Sequence, residues 1–341
     1  MGLARTTGSM TTCSEADWSS AVKLIDGAGQ VCLACHVRPD ADALGSMLAV
    51  AVALAGRPGS RTVVASFGDD PFAVPGILSF LPGQSLLSSP ADYPDRPEVM
   101  ISFDAASVDR LGRLAGPAEA AGALIVLDHH ASNGCFGTVN IVDPAAAATA
   151  VLAAELIDRM GIRLTEDIAL GLYAGLVTDT GSFKYAATTP QVHELAARLL
   201  ATGIEPGTVA RELYDRAPFS YLGMLAAALG RAVLEPSAAG GLGLVWTTVT
   251  RADREPAELP LELAESVIDV VRKTDEAEVA VVLKEDDAGN WQVSVRSKAA
   301  VDVGALCTAL GGGGHARAAG FSFAGHPGEA VAAMLRLLDR Q

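Results

Sequence analysis

The chain has 341 residues, more than a single hydrophobic core usually serves, so two domains are expected. Lysine and arginine number 25 against 40 aspartates and glutamates, and the formal charge of −15 opposes any extended polyanion as a partner. Half of the residues are hydrophobic and 19% are charged, a globular balance that excludes a disordered chain.

Residues 1–16 lack a secretory apolar core and read as a flexible tail. Strand-length apolar runs follow at VCLAC (31–35), TVVASF (62–67), EVMISF (98–103), ALIVL (123–127) and VNIV (139–142). Between and after them lie helical patterns over 44–56, 145–160 and 166–177. This alternation predicts an α/β domain over 17–190, a parallel sheet with helices on both faces. Residues 71–91 are uncharged, but Pro71, Pro75, Pro82 and Pro90 rule out a membrane span there. Residues 191–236 read as a helical connector punctuated by glycine and proline. From 237 to 341 a second, smaller α/β domain is predicted, with strands near 242–250, 278–285 and 291–298 and a last helix from Glu329. The charged turn at 286–290 makes the latter two strands a hairpin.

The five cysteines, an odd number, suit a reducing cytoplasm better than a disulfide framework. Cys32 and Cys35 are spaced C-x-x-C, yet on a strand their thiols face opposite ways, and both read as core residues.

Chemistry concentrates at strand ends. HVRPDADALGS (36–46) places His36, Asp40 and Asp42 between a strand and a helix, Asp104 ends the third strand, and Asp128, His129 and His130 end the fourth. Loops at the carboxyl ends of strands in open α/β sheets gather ligand-binding groups. Asp179 closes an apolar helix before a Thr-Gly turn. Singly, Asp42 or Asp179 reads as a helix cap or turn residue. Together the carboxylates would repel one another, and a cation resolves that conflict. Carboxylate and imidazole without thiolate favour Mn²⁺, with Mg²⁺ as the alternative. The donors exceed one ion's needs, so two ions about 3.5–4 Å apart are expected, sharing a carboxylate and serving hydrolysis of a phosphate ester.

A second signal is GGGGHARAAG (311–320), where Gly312, Gly313 and Gly314 would let amides approach an anion and His315 and Arg317 would add charge. The run reads equally as a helix-terminating loop. Arg296 and Lys298 share one strand face, aimed at the same anion or simply solvated.

These motifs, in this order, resemble the DHH phosphoesterase superfamily. More specifically, they resemble its subgroup with a DHH-associated C-terminal domain, which includes NrnA-type nanoRNases and actinobacterial cyclic-dinucleotide phosphodiesterases. The resemblance spans the chain from about Ala21 to the last helix. It implies a first ion on His36, Asp40 and Asp104 and a second on Asp42, Asp104, His129 and Asp179, with Asp104 bridging. By the same resemblance His130 lies near the scissile phosphate and Asp128 orients a neighbouring imidazole. It also implies that Arg296 and the 311–317 loop bind the substrate's terminal phosphate or base across an interdomain cleft, and that the protein is a homodimer. The segment 143–155 departs from relatives in keeping a single hydroxyl, Thr149.

A RecJ-like single-strand exonuclease needs a basic track and aromatic platforms, and this chain is acidic with 5% aromatics. Short substrates fit better: cyclic di-AMP, pApA, oligoribonucleotides of a few residues or 3′-phosphoadenosine 5′-phosphate, with no long nucleic acid and no membrane as partner. A non-catalytic nucleotide sensor is the alternative of another class. It would be marked by a lost ligand, and none of the expected positions is lost.

Overall fold

The computed structural model describes residues 13–59 and 61–339, and most of the tail expected over 1–16 lies outside them. The chain divides into two compact units between Asp215 and Arg216. In the first, five apolar runs form the strands β1 (Gln30–Cys35), β2 (Thr62–Phe67), β3 (Val99–Phe103), β4 (Ala123–Asp128) and β5 (Val139–Val142). All pair in parallel, in the order β2-β1-β3-β4-β5. Continuous apolar sequence demands burial on both faces of such a sheet. One face carries the main core, to which α1 (Glu15–Gly27) and α2 (Ala41–Ala55) contribute. The other is covered by Tyr93, the 3₁₀ turn Val108–Leu114 and α3 (Ala115–Ala120). Cys35 belongs to the first core and Cys32 to the second, as the strand alternation requires. All five cysteines are free thiols.

The helices α4 (Thr149–Arg159) and α5 (Glu166–Asp179) complete the main core with α6 (Pro190–Leu200) and α7 (Pro206–Tyr214). Two glycines let α2 and α5 touch backbone to backbone: a Cβ on Gly45 would lie 2.4 Å from the carbonyl oxygen of Gly171, and one on Gly171 would lie 2.6 Å from that of Gly45. That approach brings together the helices bearing Asp42 and Asp179.

The segment read as a connector divides between the units: α6 and α7 pack into the first core, whereas α8 (Tyr221–Gly230) packs in the second unit. There follow β6 (Val233–Glu235), the distorted turn α9 (Ala238–Gly241), β7 (Leu244–Val249) and α10 (Arg251–Arg254). A 3₁₀ turn at Leu261–Ser266 leads into the short helix α11 (Val267–Val271). Then come β8 (Val279–Glu285), β9 (Trp291–Ser297), α12 (Val303–Ala309), β10 (Gly313–His315), β11 (Ala318–Phe323) and α13 (Pro327–Leu338). The sheet order is β10-β11-β9-β8-β7-β6, with only β7 and β8 parallel. The glycine run serves both readings: Gly311 and Gly312 close α12, with φ 84° at Gly311 and the Gly312 N–H donating to the Cys307 carbonyl at 2.9 Å, and Gly313 and Gly314 enter the β10–β11 hairpin. Gly312 has no room for a Cβ, which would sit 2.1 Å from the carbonyl oxygen of Gly320, and Gly314 adopts φ 135°. Among the described residues no helix is long and apolar enough to cross a membrane.

Candidate metal centre

The strand order reverses between β1 and β3, the place where an open α/β sheet leaves a crevice at its carboxyl edge. His36 follows β1 and Asp104 follows β3, at that crevice. Asp104 takes φ 56°, a left-handed turn that aspartate tolerates better than most residues. Its two carboxylate oxygens face different partners. Oδ2 lies 3.5 Å from His36 Nε2, which is itself 3.8 Å from Asp40 Oδ2. Oδ1 lies 3.5 Å from His129 Nε2, which is also 3.1 Å from Asp179 Oδ2 and 3.9 Å from Asp42 Oδ2. Donors about 2.1 Å from a shared ion lie roughly 3–4 Å apart, so each cluster has the spacing of a divalent-cation site. All six residues expected as ligands thus converge. His36, Asp40 and Asp104 form one cluster, and Asp42, Asp104 and His129 form another that Asp179 joins through His129.

Local structure holds each donor. Asp40 caps α2, accepting from Ala43 N–H at 2.9 Å with Oδ1. The α4 helix has no side-chain cap of its own, and Asp42 takes that role from α2: Thr149 N–H donates to its Oδ2 at 2.6 Å and Ala150 N–H to its Oδ1 at 2.8 Å. Thr149 Oγ1 donates to Asp104 Oδ1 at 2.8 Å. The surviving hydroxyl of the 143–155 segment is fully buried there and orients a carboxylate. The Val37 carbonyl lies 2.9 Å from His36 Nδ1 and that of Ala146 lies 3.1 Å from His129 Nδ1, directing both Nε2 atoms inward.

The electrostatics are those of a crowded anionic site. Burial, followed by the Asp179 and Asp104 charges, pushes Asp42 well above the carboxylate range. Burial also raises Asp179, from 3.8 to about 6, against the pull of His129. For His36, burial opposes charging, but bonds to Asp104 and Asp40 outweigh it and carry the imidazole to about 10. The histidines in turn overcome burial at Asp104 and hold it well below its ordinary range. A cation bound here would take over the neutralising role now left to protons.

Beside the clusters, Asp128 Oδ1 lies 2.7 Å from His130 Nδ1, and Asn133 donates to Asp128 Oδ2 at 2.6 Å. His130 is raised above 6.5: burial works against the charge, and Asp128 and Asp104 prevail. Asn133 and the two carbonyls carry no sequence signal, whereas Thr149 stands out as the lone hydroxyl in an alanine run.

In the second unit, Arg296 lies on β9 opposite Ala318 of β11, and His315 and Arg317 lie on or beside the β10–β11 hairpin. Lys298, expected to face the same anion as Arg296, does not: the strand ends at Ser297, and the Lys298 ammonium donates instead to the carbonyls of Thr274 at 2.6 Å and Asp275 at 3.4 Å.

The donor set suits an α/β enzyme that works with divalent cations. Residues 30–176 match the DHH family, N-terminal domain, and residues 257–341 match the DHHA1 domain. A bifunctional oligoribonuclease and PAP phosphatase NrnA from Thermus thermophilus is 33% identical over 297 residues, covering 87% of this chain and 85% of that protein. A probable bifunctional oligoribonuclease and PAP phosphatase NrnA from Streptococcus mutans is 26% identical over 288 residues, 84% and 86% of the two chains. The solved structure of an exopolyphosphatase-related protein from Bacteroides fragilis shares the fold, with TM-score 0.84, 24% identity and 96% of each chain covered. The chain belongs to the DHH family of phosphoesterases.

Proposed function

We propose that this protein hydrolyses short nucleotides, namely pApA, cyclic di-AMP and oligoribonucleotides of a few residues, to mononucleotides, and that it also dephosphorylates 3′-phosphoadenosine 5′-phosphate. The division of the Asp104 carboxylate between two donor clusters carries this reading. His36, Asp40 and Asp104 would hold one Mn²⁺; Asp42, Asp104, His129 and Asp179 would hold the other. When bound, the two ions supply Lewis-acid polarisation of the phosphate ester and lower the pKa of water. The chain's own part is positioning and proton transfer. Asp128 fixes the tautomer of His130, and its charge favours the imidazolium, a proton donor suited to a leaving oxygen. The names of the Thermus and Streptococcus relatives support the oligonucleotide and 3′-phosphoadenosine 5′-phosphate substrates.

We assign the substrate's terminal phosphate to Arg296, His315, Arg317 and the hairpin glycines Gly313 and Gly314; the Gly312 amide, expected there too, already donates to the Cys307 carbonyl at 2.9 Å. The charge of −15 argues against long nucleic acid, and the free thiols fit the cytoplasm. The dimer is carried by the family resemblance alone.

The test is release of mononucleotides from pApA, cyclic di-AMP and a 24-mer oligoribonucleotide by purified protein with Mn²⁺, then with Mg²⁺. Turnover of the two dinucleotides that outpaces the 24-mer supports the proposal. Stoichiometric binding without product would make the protein a sensor, and preferential degradation of the 24-mer would make it an exonuclease.

A further inference from the structure

Beyond the ligands, the chain leaves α5 through an unusual turn. Gly181, Ser182 and Phe183 take φ 56°, 60° and 63°, three consecutive left-handed residues of which only one is glycine. Two consecutive side-chain-bearing residues in that region are strained, and such strain persists only where the surroundings impose it. Here they do. The buried Thr180 hydroxyl accepts from Phe183 N–H at 3.0 Å, Ser182 N–H donates to the Val177 carbonyl at 2.7 Å, and the Phe183 ring stacks on His193 with centroids 5.1 Å apart.

The turn folds the chain back onto the end of α5. The N–H groups of Lys184 and Tyr185 donate to the carbonyl of Thr180 at 2.9 and 3.0 Å, which ties both backbones to the residue that follows Asp179. Lys184 is exposed and, among the described residues, its ammonium forms no ion pair. The Tyr185 ring is half-buried and lies on Gly181: a Cβ there would meet its Cζ at 2.4 Å. An aromatic ring seated on a bare Cα, next to an exposed cation in a strongly acidic chain, is suited to a nucleobase followed by a phosphate.

We propose that Lys184 and Tyr185 form a substrate subsite at the edge of the candidate metal centre. The Tyr185 ring stacks with a base, and the Lys184 ammonium adds its charge to that of the groups already assigned to the non-scissile phosphate, which in pApA is the terminal one. This deepens the proposed function and rests on it. Both are specificity-determining residues, with no part in proton transfer or in holding the ions.

The experiment compares wild type with Lys184→Ala, Lys184→Arg, Tyr185→Ala and Tyr185→Phe. It reads kcat and KM on pApA and on bis(p-nitrophenyl) phosphate, and binding of pApA in EDTA by calorimetry. Tyr185→Ala and Lys184→Ala are each expected to raise KM for pApA about tenfold, or about 1.4 kcal/mol, with kcat within about twofold. Tyr185→Phe and Lys184→Arg should restore the wild-type KM, and Lys184→Ala should raise KM less on bis(p-nitrophenyl) phosphate, which carries no second phosphate, than on pApA. The alanine variants should weaken pApA binding in EDTA by the same factor. Wild-type KM in both alanine variants overturns the subsite while leaving the proposed function standing. If wild type cleaves no nucleotide, the proposed function fails, and the subsite is then decided by the EDTA titration, where wild-type binding by both alanine variants overturns it.

Discussion

Replacing Thr149 by valine removes one hydroxyl from the centre and little else. Valine is nearly isosteric, and the Thr149 and Ala150 amides that cap onto Asp42 belong to the backbone. What is lost is a fully buried hydrogen bond of 2.8 Å to Oδ1 of Asp104. A bond to a charged group contributes about 1.5–3 kcal/mol, and the loss of such a supporting partner typically weakens metal binding about 10- to 100-fold. Because the hydroxyl touches Oδ1, the weakening should fall on the site formed with Asp42, His129 and Asp179. The site on the Oδ2 side, with His36 and Asp40, should keep its affinity to within about threefold, since it loses no direct contact. Isothermal titration of ion-free protein with Mn²⁺ resolves the two events, and Thr149→Ser should restore the weaker one. A valine variant that folds and binds two ions with wild-type affinities would refute the orienting role of Thr149. Equal weakening of both events would refute the division of Asp104 between them.

Other perturbations probe different parts of the same arrangement. Gly175→Ala would place a Cβ 2.6 Å from Asp42 Oδ1, so it should cost about 1–3 kcal/mol in urea unfolding and lower Mn²⁺ affinity; wild-type values for both would contradict the packing. His130→Asn should lower kcat about 10²- to 10⁴-fold with two Mn²⁺ still bound, and retained kcat would remove its proton-donor role. Asp179 is raised from 3.8 to about 6 and His36 from 6.5 to about 10, so both favour the protonated form when folded. Their stabilisation is complete below the unfolded values and lost as pH rises through the folded ones. Without ions, Tm should therefore fall between pH 5 and pH 9, and the Tm gain on adding Mn²⁺ should be larger at pH 8 than at pH 6; a gain independent of pH would contradict proton release on binding.

The sheet and most of the donors were legible because their signals are local. An apolar run followed by His36, Asp104 or Asp128 says both strand and strand end, and the spacing of Asp40 and Asp42 marks the start of a helix. What stayed hidden depends on partners distant in the chain. Asp42 caps a helix that starts at Thr149, and nothing near either residue announces it. Gly45 and Gly171 are unremarkable in two apolar helices until the helices cross. The glycine run at 311–314 is ambiguous alone, because its need for small residues comes from Gly320 and Ala319 on the neighbouring strand. The span 191–236 looked like a linker because its helices are short, yet Leu195, Leu199 and Val209 are core residues of the first unit.

The sharing of Asp104 is most directly tested by electron paramagnetic resonance of protein loaded with two equivalents of Mn²⁺. Two ions held about 3.5–4 Å apart by one carboxylate should give an exchange-coupled spectrum that Asp104→Asn abolishes. A six-line signal from isolated Mn²⁺ in the wild-type protein, growing linearly to two equivalents, would contradict it.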